Sequence, residues 1–437
     1  MDVIGIGARG WDSLGPDEQA LVSLATRVYG SSRQLDLIPA TAGQERIAWP
    51  SPLRPALPGL LAGHQDNGAV VLASGDPMLA GLGTALVELF GAASVRVHPG
   101  VSSVALARAR MGWSAESAEV VRLSDAGPDA VRRHLAPARR LIVLSRDRDS
   151  PAELAEVLRD AGFGTSSMAV LSELGGPQER RREALARDWS GPSPDLNLVC
   201  VTCVPEQSSG LWSLGAGLPD DAYEHDGQLT KRDVRAAALA HLMPVPGQLL
   251  WDVGAGAGSV GIEWMRAHPR CRAVAVERDE TRAARIRTNA ARLGVPELQV
   301  VVASAPAALD DLPPPDAVFV GGGATRDTLE LAWDALAGGG RLVVHAVTHE
   351  TELVVSDLYR RIGGQLTRIS VEQMAPIGSY SGWKPARAVV QWSAQKPLDQ
   401  VNPQQQPTSQ NQPTSQDQPS SQGQPNPVDQ QSAVGHP

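Results

Sequence analysis

The chain has 437 residues, of which 42% are hydrophobic and 4% aromatic, and its formal net charge at pH 7 is -9. This length predicts roughly three domain-sized units. The acidic balance argues against a nucleic-acid partner, since neutralising phosphates requires an excess of Lys and Arg. Neither an apolar run long enough to span a membrane nor a signal peptide is evident. We therefore expect a soluble, cytoplasmic protein with no membrane partner.

The first twelve residues, MDVIGIGARGWD, contain the spacing G-x-G-x-x-G at Gly5, Gly7 and Gly10. This spacing is typical of dinucleotide binding only where the glycines open a helix and an acidic residue follows about 20 positions later. Here the helical pattern begins only near Pro16, and the nearest acidic candidate, Asp36, ends no clear strand. The sequence therefore disfavours an NAD(P)-dependent dehydrogenase.

Short apolar strands alternate with helical patterns along most of the chain, which is typical of α/β architecture. In the N-terminal domain, residues 1–205, strands are predicted at 70–73, 94–97, 141–144, 168–171 and 196–204. The last of these contains Cys200 and Cys203, which lie on opposite faces of a strand and have no second pair to complete a zinc site. We expect these cysteines to pack in the core of a protein from a reducing compartment.

A polar stretch rich in Pro and Gly, residues 206–222, is predicted to be a linker. In the C-terminal domain, residues 223–394, strands are predicted at 249–253, 273–277, 299–303, 317–320 and 341–346 and near Leu366 and Ala386. With the intervening helices they predict one doubly wound sheet. Residues 395–437 are rich in Gln, Pro and Ser, and a segment so poor in large apolar residues is expected to be disordered.

A second glycine-rich turn, in DVGAGAGSVGIEW, meets the requirements that the first does not. The preceding strand ends near Asp252, the turn carries Gly254, Gly256 and Gly258, and an amphipathic helix follows directly. The next strand ends in Glu277, whose carboxylate can accept hydrogen bonds from both ribose hydroxyls of an adenosine. A nucleoside-containing cofactor is therefore predicted at this edge of the sheet.

The spacing identifies the class of cofactor. Residue 259 is Ser, so the turn reads Asp-x-Gly-x-Gly-x-Gly rather than G-x-G-x-x-G, and no P-loop lysine follows. S-Adenosylmethionine carries no phosphate, and it needs one acid for its ribose and one near its ammonium group, which Glu277 and Asp252 can provide. The sequence favours a methyltransferase, with a glycine turn that serves packing alone as the alternative.

Longer motifs resemble known families. Residues 228–239 (QLTKRDVRAAAL), 252–264, 274–294, 303–323 and 338–351 resemble the cobalamin-pathway methyltransferase that methylates C15 of a precorrin and decarboxylates its ring-C acetate. Residues 3–14 (VIGIGARGWDSL), 71–83 (VLASGDPMLAGLG), 98–113 and 173–181 resemble the tetrapyrrole methylase that acts at C5. Together the two halves resemble the family of decarboxylating precorrin-6Y C5,15-methyltransferases.

The resemblance implies a two-subdomain tetrapyrrole methylase (class III methyltransferase) fold followed by a Rossmann-like class I methyltransferase domain, with two S-adenosylmethionine sites. The first glycine spacing then belongs to a tetrapyrrole methylase strand and loop. The implied N-terminal cofactor contacts are Gly75, Asp76, Pro77, Met78, Ser102 and Ser103. The C-terminal contacts, with the two acids derived above, are Thr230, Asp252, Gly254, Ala255, Gly256, Ala257, Gly258, Glu277 and Ala305.

The implied substrate is a small-molecule tetrapyrrole with several carboxylates. Because the protein is acidic overall, local cations must hold these groups, and the candidates are Arg326, Lys384 and Arg387. Decarboxylation calls for a general acid, and His345 is the candidate, with a satisfied surface histidine as the alternative. His349 lies nearby, but no third ligand is evident, so we expect no metal site.

Two departures from the family pattern concern the C-terminal site. Residues 303–304 are Ala-Ser where members often have Gly-Asp, which puts an adenine-side carboxylate in doubt, and His345 stands where Asn is usual. The alternative functions are an RNA-directed class I methyltransferase with an accessory domain and a non-catalytic regulator that binds S-adenosylmethionine. We expect a homo-oligomer, and the sequence leaves open whether the substrate carries cobalt and which half acts first.

Overall fold

The computed structural model describes residues 1–63, 68–79, 81–123, 127–207, 209–210 and 212–398. Three large sheets follow one another along this part of the chain, accompanied by a two-stranded hairpin. None of the helices in these residues combines the length and the apolar character that spanning a bilayer requires.

The first sheet has five parallel strands in the order β3-β2-β4-β1-β5. Its strands are β1 Asp2–Ile6, β2 Arg27–Gly30, β3 Glu45–Ala48, β4 Ala69–Ser74 and β5 Arg96–His98, and its helices are α1 Pro16–Leu24, α2 Ser32–Asp36, α3 Leu53–Leu61 and α4 Leu82–Phe90. Strand β4 is an apolar run buried on both faces, as a helix-covered parallel sheet requires. Because β1 pairs with both β4 and β5, the carboxyl ends of these three strands meet at one edge.

The second sheet is mixed, in the order β6-β7-β10-β8-β9, and among its pairs only β6–β7 is parallel. Its strands are β6 Glu119–Arg122, β7 Arg140–Leu144, β8 Ser167–Ser172, β9 Arg180–Leu185 and β10 Asn197–Thr202, and α5 Ser103–Met111 and α6 Ser150–Asp160 pack against it. Cys200 and Cys203 are buried in different clusters, on opposite faces. The N-terminal half thus has two α/β subdomains, which confirms the predicted fold.

The third sheet has the order β13-β12-β11-β14-β15-β19-β16. Its strands are β11 Leu249–Val253, β12 Arg272–Glu277, β13 Gln299–Val302, β14 Ala317–Val320, β15 Arg341–Ala346, β16 Gln365–Ile369 and β19 Val389–Gln395. Its helices are α7 Arg232–Leu242, α8 Ser259–Ala267, α9 Glu280–Arg292, α10 Arg326–Ala335 and α11 His349–Ile362. The separate hairpin consists of β17 Glu372–Ile377 and β18 Tyr380–Pro385. The first five strands are parallel and β19 is antiparallel to both neighbours. This arrangement confirms the Rossmann-like fold.

The segment interpreted as a linker is partly built into the C-terminal half. Leu218, Ala222 and Tyr223 are each no more than 3% exposed and pack with residues of α7 and α8. The buried carboxylate of Glu263 on α8 accepts hydrogen bonds from the backbone N–H groups of Gly217 and Leu218. The C-terminal core therefore begins before residue 223.

The predicted tail begins later than residue 395. Gln395 ends β19, and the Lys396 ammonium donates to the carbonyls of Trp333, Asp334 and Leu336 at the end of α10. Leu398 is exposed, and residues 399–437, for which disorder was predicted, lie outside the described residues.

Arg133 links the two halves directly. It lies in a short 3-10 helix, Pro128–His134, is 8% exposed, and donates from Nη2 to the Met265 carbonyl of α8 at 3.0 Å. Gly294, just after α9, has φ +79°, and a Cβ there would lie 2.4 Å from the Arg133 backbone nitrogen. Burial lowers the pKa of Arg133, and the nearby Glu297 carboxylate partly offsets this effect. The halves therefore touch through buried groups as well as through the connecting chain.

Candidate active site

The glycine turn between β11 and α8 is closely packed backbone. Gly254 and Gly256 have φ of +67° and +59°, a region that favours glycine. A Cβ on Gly254 would lie 2.5 Å from the Gly322 carbonyl oxygen, and one on Gly256 would lie 2.8 Å from that of Gln228. The turn therefore has no room for a side chain at Gly254 or Gly256, and both residues line the adjoining cavity.

Glu277 fixes the turn relative to the next strand. It ends β12, is 5% exposed, and accepts the Gly256 N–H at Oε2 (2.8 Å) and the Asp279 N–H at Oε1 (3.1 Å). Each carboxylate oxygen has a second lone pair available. The side chain can thus hold the loop and still accept hydrogen bonds from a diol in the cavity.

Asp252 lies beneath the turn rather than in the cavity. It is 1% exposed, its Oδ2 accepts the Gly261 N–H of α8 at 2.8 Å, and its Oδ1 has no hydrogen-bond partner among the described residues. Burial, with a smaller contribution from the Glu277 charge, raises its pKa to about 7. This placement suits a side chain that ties β11 to α8 and not one that contacts a ligand's ammonium group.

A cavity of about 960 Å³ opens beside the turn. The predicted cofactor residues that line it are Thr230, Gly254, Ala255, Gly256, Glu277 and Ala305. Ala257 and Gly258 do not line it, because Ala257 is buried with its carbonyl bonded to Asn289 and Gly258 packs on Ile286. Most of the residues predicted from the motif therefore share one wall.

The lining of the cavity also contains cations. Lys384 and Arg387 line it as predicted, and Arg232 and Arg278 line it as well. None of these four side chains has an ion pair among the described residues. Arg326 does not line the cavity. It pairs instead with Asp357 at 2.7 Å and Glu330 at 3.7 Å, so the structure separates it from the other candidates.

His345 also lines the cavity. It is 6% exposed, its Nε2 is 2.9 Å from Oε1 of Gln391 on β19, and its ring lies edge-on to Phe319 at 4.9 Å. Burial lowers its pKa to about 4, which the Gln391 hydrogen bond only partly opposes. The imidazole is therefore neutral at neutral pH, with Nε2 engaged and Nδ1 without a partner among the described residues.

The predicted N-terminal residues meet at the carboxyl edge of the first sheet. The Gly75 N–H donates to the Ile6 carbonyl (3.0 Å), and the Gly100 N–H donates to the Gly75 carbonyl (3.1 Å). A Cβ on Gly5 would lie 1.9 Å from the Gly75 oxygen, so these loops touch backbone to backbone. The packing explains Gly5 and Gly75 without any dinucleotide.

Side chains of the same loops face this edge. Asp76 accepts the Met78 N–H in a tight turn at 2.9 Å, and Met78 is 46% exposed. Ser102 caps α5 by accepting the Ala105 N–H, and Ser103 is the first residue of that helix. Gly75 adjoins Ser102, where an added Cβ would be 3.0 Å from its Cα. The structure thus brings both predicted segments together where the two subdomains meet.

Several residues of the site were not predicted individually. Arg232 and Arg278 lie within the family motifs but were not named as contacts, and Gln391, which does not line the cavity, holds the His345 ring from behind it. Residues 227–229, next to Thr230, also line the cavity. The motif QLTKRD was the one indication that this segment belongs to the site.

Comparison with known proteins covers both halves. The profile of the tetrapyrrole (corrin/porphyrin) methylases matches residues 3–189, and the profile of the precorrin methyltransferase domain matches residues 221–396. A precorrin-6Y C(5,15)-methyltransferase [decarboxylating] of Sinorhizobium sp is 44% identical over 90% of this chain and 95% of its own.

Two shorter relatives each match part of the chain. The cobalt-precorrin-7 C(5)-methyltransferase of Salmonella typhimurium is 32% identical over 41% of this chain and 88% of its own. The probable cobalt-precorrin-6B C(15)-methyltransferase (decarboxylating) of Saccharolobus solfataricus is 29% identical over 39% of this chain and 96% of its own.

Proposed function

Since this chain belongs to the family of decarboxylating precorrin-6Y C(5,15)-methyltransferases, we propose that it methylates a precorrin-6 macrocycle at C5 and C15 and removes the ring-C acetate carboxyl as CO2, giving precorrin-8. It is an S-adenosylmethionine-dependent C-methyltransferase of cobalamin biosynthesis. The observation that carries the assignment within the structure is the C-terminal cavity, which is lined by a glycine turn, by Glu277 and by four cations that have no ion pair among the described residues.

The two activities are assigned to separate halves. Residues 1–205 would methylate C5 and residues 223–394, extended to the buried segment before them, would methylate C15 and decarboxylate. Two separate family profiles and two single-activity relatives support this division. The relatives' names attach the C15 step to cobalt-precorrin-6B and the C5 step to cobalt-precorrin-7, and from this numbering we propose that the C-terminal half acts first. The full-length relative's name omits cobalt, which favours a metal-free substrate.

Each half is proposed to hold one S-adenosylmethionine. In the C-terminal cavity two features suit the cofactor. Gly254 and Gly256 leave the backbone bare, since neither position has room for a side chain, and Glu277 can accept hydrogen bonds from the ribose hydroxyls. In the N-terminal half the corresponding positions are the Gly75–Met78 turn and Ser102-Ser103. When bound, the cofactor supplies an electrophilic methyl group, and the carbon nucleophiles belong to the macrocycle.

The chain itself contributes proximity, orientation and charge. Lys384, Arg387, Arg232 and Arg278 all line the cavity and can bind carboxylate arms of the macrocycle there. Their charges are not neutralised by ion pairs among the described residues, so they are available for a polyanion despite the acidic net charge. Arg326 is no longer proposed for this role because Asp357 and Glu330 hold it elsewhere.

His345 is proposed to handle the proton that decarboxylation requires. Because burial keeps it neutral, it can hold a proton at Nδ1 only when a bound carboxylate or a developing negative charge raises its pKa. Gln391 supports this role by fixing the ring through Nε2. Asn, the usual family residue here, can form a hydrogen bond but cannot take up a proton at neutral pH.

Self-association is proposed through the hairpin β17–β18. Met374, Ile377, Tyr380 and Trp383 on it are each more than half exposed, and a second copy of the chain could cover them. Sedimentation of the full chain tests this, since a monomer at micromolar concentration would contradict it. The cytoplasmic location and the absence of nucleic-acid partners stay predictions.

The function is tested by incubating the full chain with metal-free precorrin and S-adenosylmethionine. The product should gain two methyl groups and lose one CO2 by mass spectrometry. Replacing His345 by Phe should reduce CO2 release, while the variant should still methylate C5 when it is given the decarboxylated product made by the unaltered protein's C-terminal half. Methylation without loss of CO2 in the unaltered protein would contradict the proposal.

A further inference from the structure

One wall of the C-terminal cavity is a strap, defined here as residues 224–231, that runs over the glycine turn. Gly227 through Lys231 line the cavity, and the Gln228 carbonyl lies where a side chain on Gly256 would be. The strap is irregular backbone between the buried segment and α7. It therefore covers the position assigned to the cofactor.

Both ends of the strap are anchored by buried side chains. At its start, Asn289 on α9 is fully buried, accepts the Glu224 N–H at 2.9 Å, and donates to the carbonyls of Glu224 and Ala257, each at 3.0 Å. At its end, the fully buried Arg235 donates to the Thr230 carbonyl and pairs with Glu263 at 2.6 Å. These anchors tie the strap's ends to the same helices that frame the turn.

The middle of the strap is held to α9 by an exposed ion pair. The Asp226 carboxylate lies 2.9 Å from Arg282 Nε and 3.4 Å from Arg285 Nη1, and its side chain is 36% exposed. Gly227 follows with φ +99°, and a Cβ there would meet nothing, so its backbone conformation and not crowding requires glycine. The middle therefore has one charged attachment and a permissive joint between two rigid ends.

We propose that Asp226, with Arg282 and Arg285, latches the strap over the adenosyl side of the cavity and so sets how long the cofactor stays bound. This inference rests on the proposed cofactor site. Asp226 is a positioning residue, because it acts through the strap. The hydrogen bond from Arg282 holds the pKa of Asp226 at about 2, so the latch stays charged throughout the physiological pH range.

The test measures the dissociation of S-adenosylhomocysteine from the full chain by stopped-flow displacement. The C-terminal phase is identified as the one whose rate or amplitude Glu277→Gln changes. Asp226→Asn should accelerate this phase about two- to fivefold, the range that an exposed ion pair supports. Arg285→Gln should also accelerate this phase. This variant is the more informative of the two, because Arg285 does not line the cavity and so cannot act by contacting the ligand.

Salt and a matched control separate the latch from general effects. Raising the salt from about 0.1 M to about 1 M should bring the unaltered protein toward the Asp226→Asn rate and leave the variant nearly unchanged. Glu352→Gln removes a comparable exposed carboxylate, paired with Arg368 at 3.1 Å away from the cavity, and should not alter the rate. The KM for S-adenosylmethionine should rise in both latch variants, while CO2 release at saturating cofactor should not fall.

The outcomes are distinguishable. Equal dissociation rates in the unaltered chain, Asp226→Asn and Arg285→Gln would overturn the latch and leave the cofactor site standing. An equal acceleration by Glu352→Gln would also overturn it. Absence of any phase that depends on Glu277 would contradict the cofactor site, and the latch with it.

Discussion

Glu277→Gln is the most informative single substitution in the C-terminal half. The variant keeps the size of a 5% exposed side chain but loses its charge. Its amide oxygen can still accept one of the two backbone N–H groups, from Gly256 or Asp279, while its NH2 group faces the other donor. Both the order of the glycine turn and the charged acceptor for the ribose are therefore weakened.

The size of the effect follows from the hydrogen bonds lost. A hydrogen bond to a charged group contributes roughly 1.5–3 kcal/mol. Losing one such bond to the ribose should raise the dissociation constant by about 10- to 150-fold, at about 1.4 kcal/mol per factor of ten. Calorimetric titration of the full chain with S-adenosylhomocysteine should show two sites in the unaltered protein. The variant should also show two sites, one of them with unchanged affinity and the other with the raised dissociation constant.

The control is Glu280→Gln. This residue is exposed and lies three positions further on, in the first turn of α9, and it does not line the cavity. It undergoes the same change of charge and should leave both dissociation constants unchanged. An unaltered affinity in Glu277→Gln, or equal weakening in both variants, would refute the ribose assignment.

Three further predictions concern stability. Burial raises the pKa of Asp252 to about 7, so its negative charge destabilises the folded state increasingly as the pH rises from about 4 to 7. The free energy of unfolding of Asp252→Asn, measured in urea, should therefore rise relative to that of the unaltered protein by up to about 4 kcal/mol between pH 4 and pH 8. A difference that does not depend on pH would contradict this. Deleting residues from 398 onward should leave the melting temperature unchanged. Deleting from 396 onward also removes the Lys396 contacts to α10 and should lower the melting temperature. Equal melting temperatures would show that Lys396 contributes nothing. Cleaving the chain after residue 207 should leave the C-terminal core intact. Cleaving after residue 220 detaches Leu218, which packs in that core and donates its N–H to Glu263, and should lower the stability of the C-terminal fragment. Equal stability of the two C-terminal fragments would contradict this.

The first five strands of the C-terminal half were predictable because they are apolar runs bounded by clear turns, whereas the hairpin β17–β18 was not predicted and the strand expected near Ala386 begins only at Val389. The bounds of β11, β14 and β15 match the predicted ranges residue for residue. Strands β2 (RVYG) and β3 (ERIA) each contain only two consecutive apolar residues, whereas the equally short β14 is apolar throughout, and the first two were missed. Strand β9, an exposed edge with three successive arginines, has no apolar face that could have marked it.

The site residues that lie within one continuous sequence motif could be predicted. The glycine turn and Glu277 lie in a motif with fixed spacing, and the fold places them together. The burial of Asp252, the pairing of Arg326 with α11 and the approach of Arg232 and Arg278 depend on how distant elements pack, which no local pattern reports. The buried segment before residue 223 was interpreted as part of a linker for a related reason. Its few apolar residues are separated by Pro and Gly, which is a pattern typical of linkers.

The division of labour between the halves is the central claim, and one measurement tests it directly. The full chain is cleaved after residue 207, the two fragments are separated, and each is incubated with metal-free precorrin-6B and S-adenosylmethionine before mass spectrometry of the macrocycle. The C-terminal fragment should add one methyl group and release one CO2, and the N-terminal fragment should add a methyl group only to that product. Release of CO2 by the N-terminal fragment, or addition of both methyl groups by either fragment alone, would contradict the account.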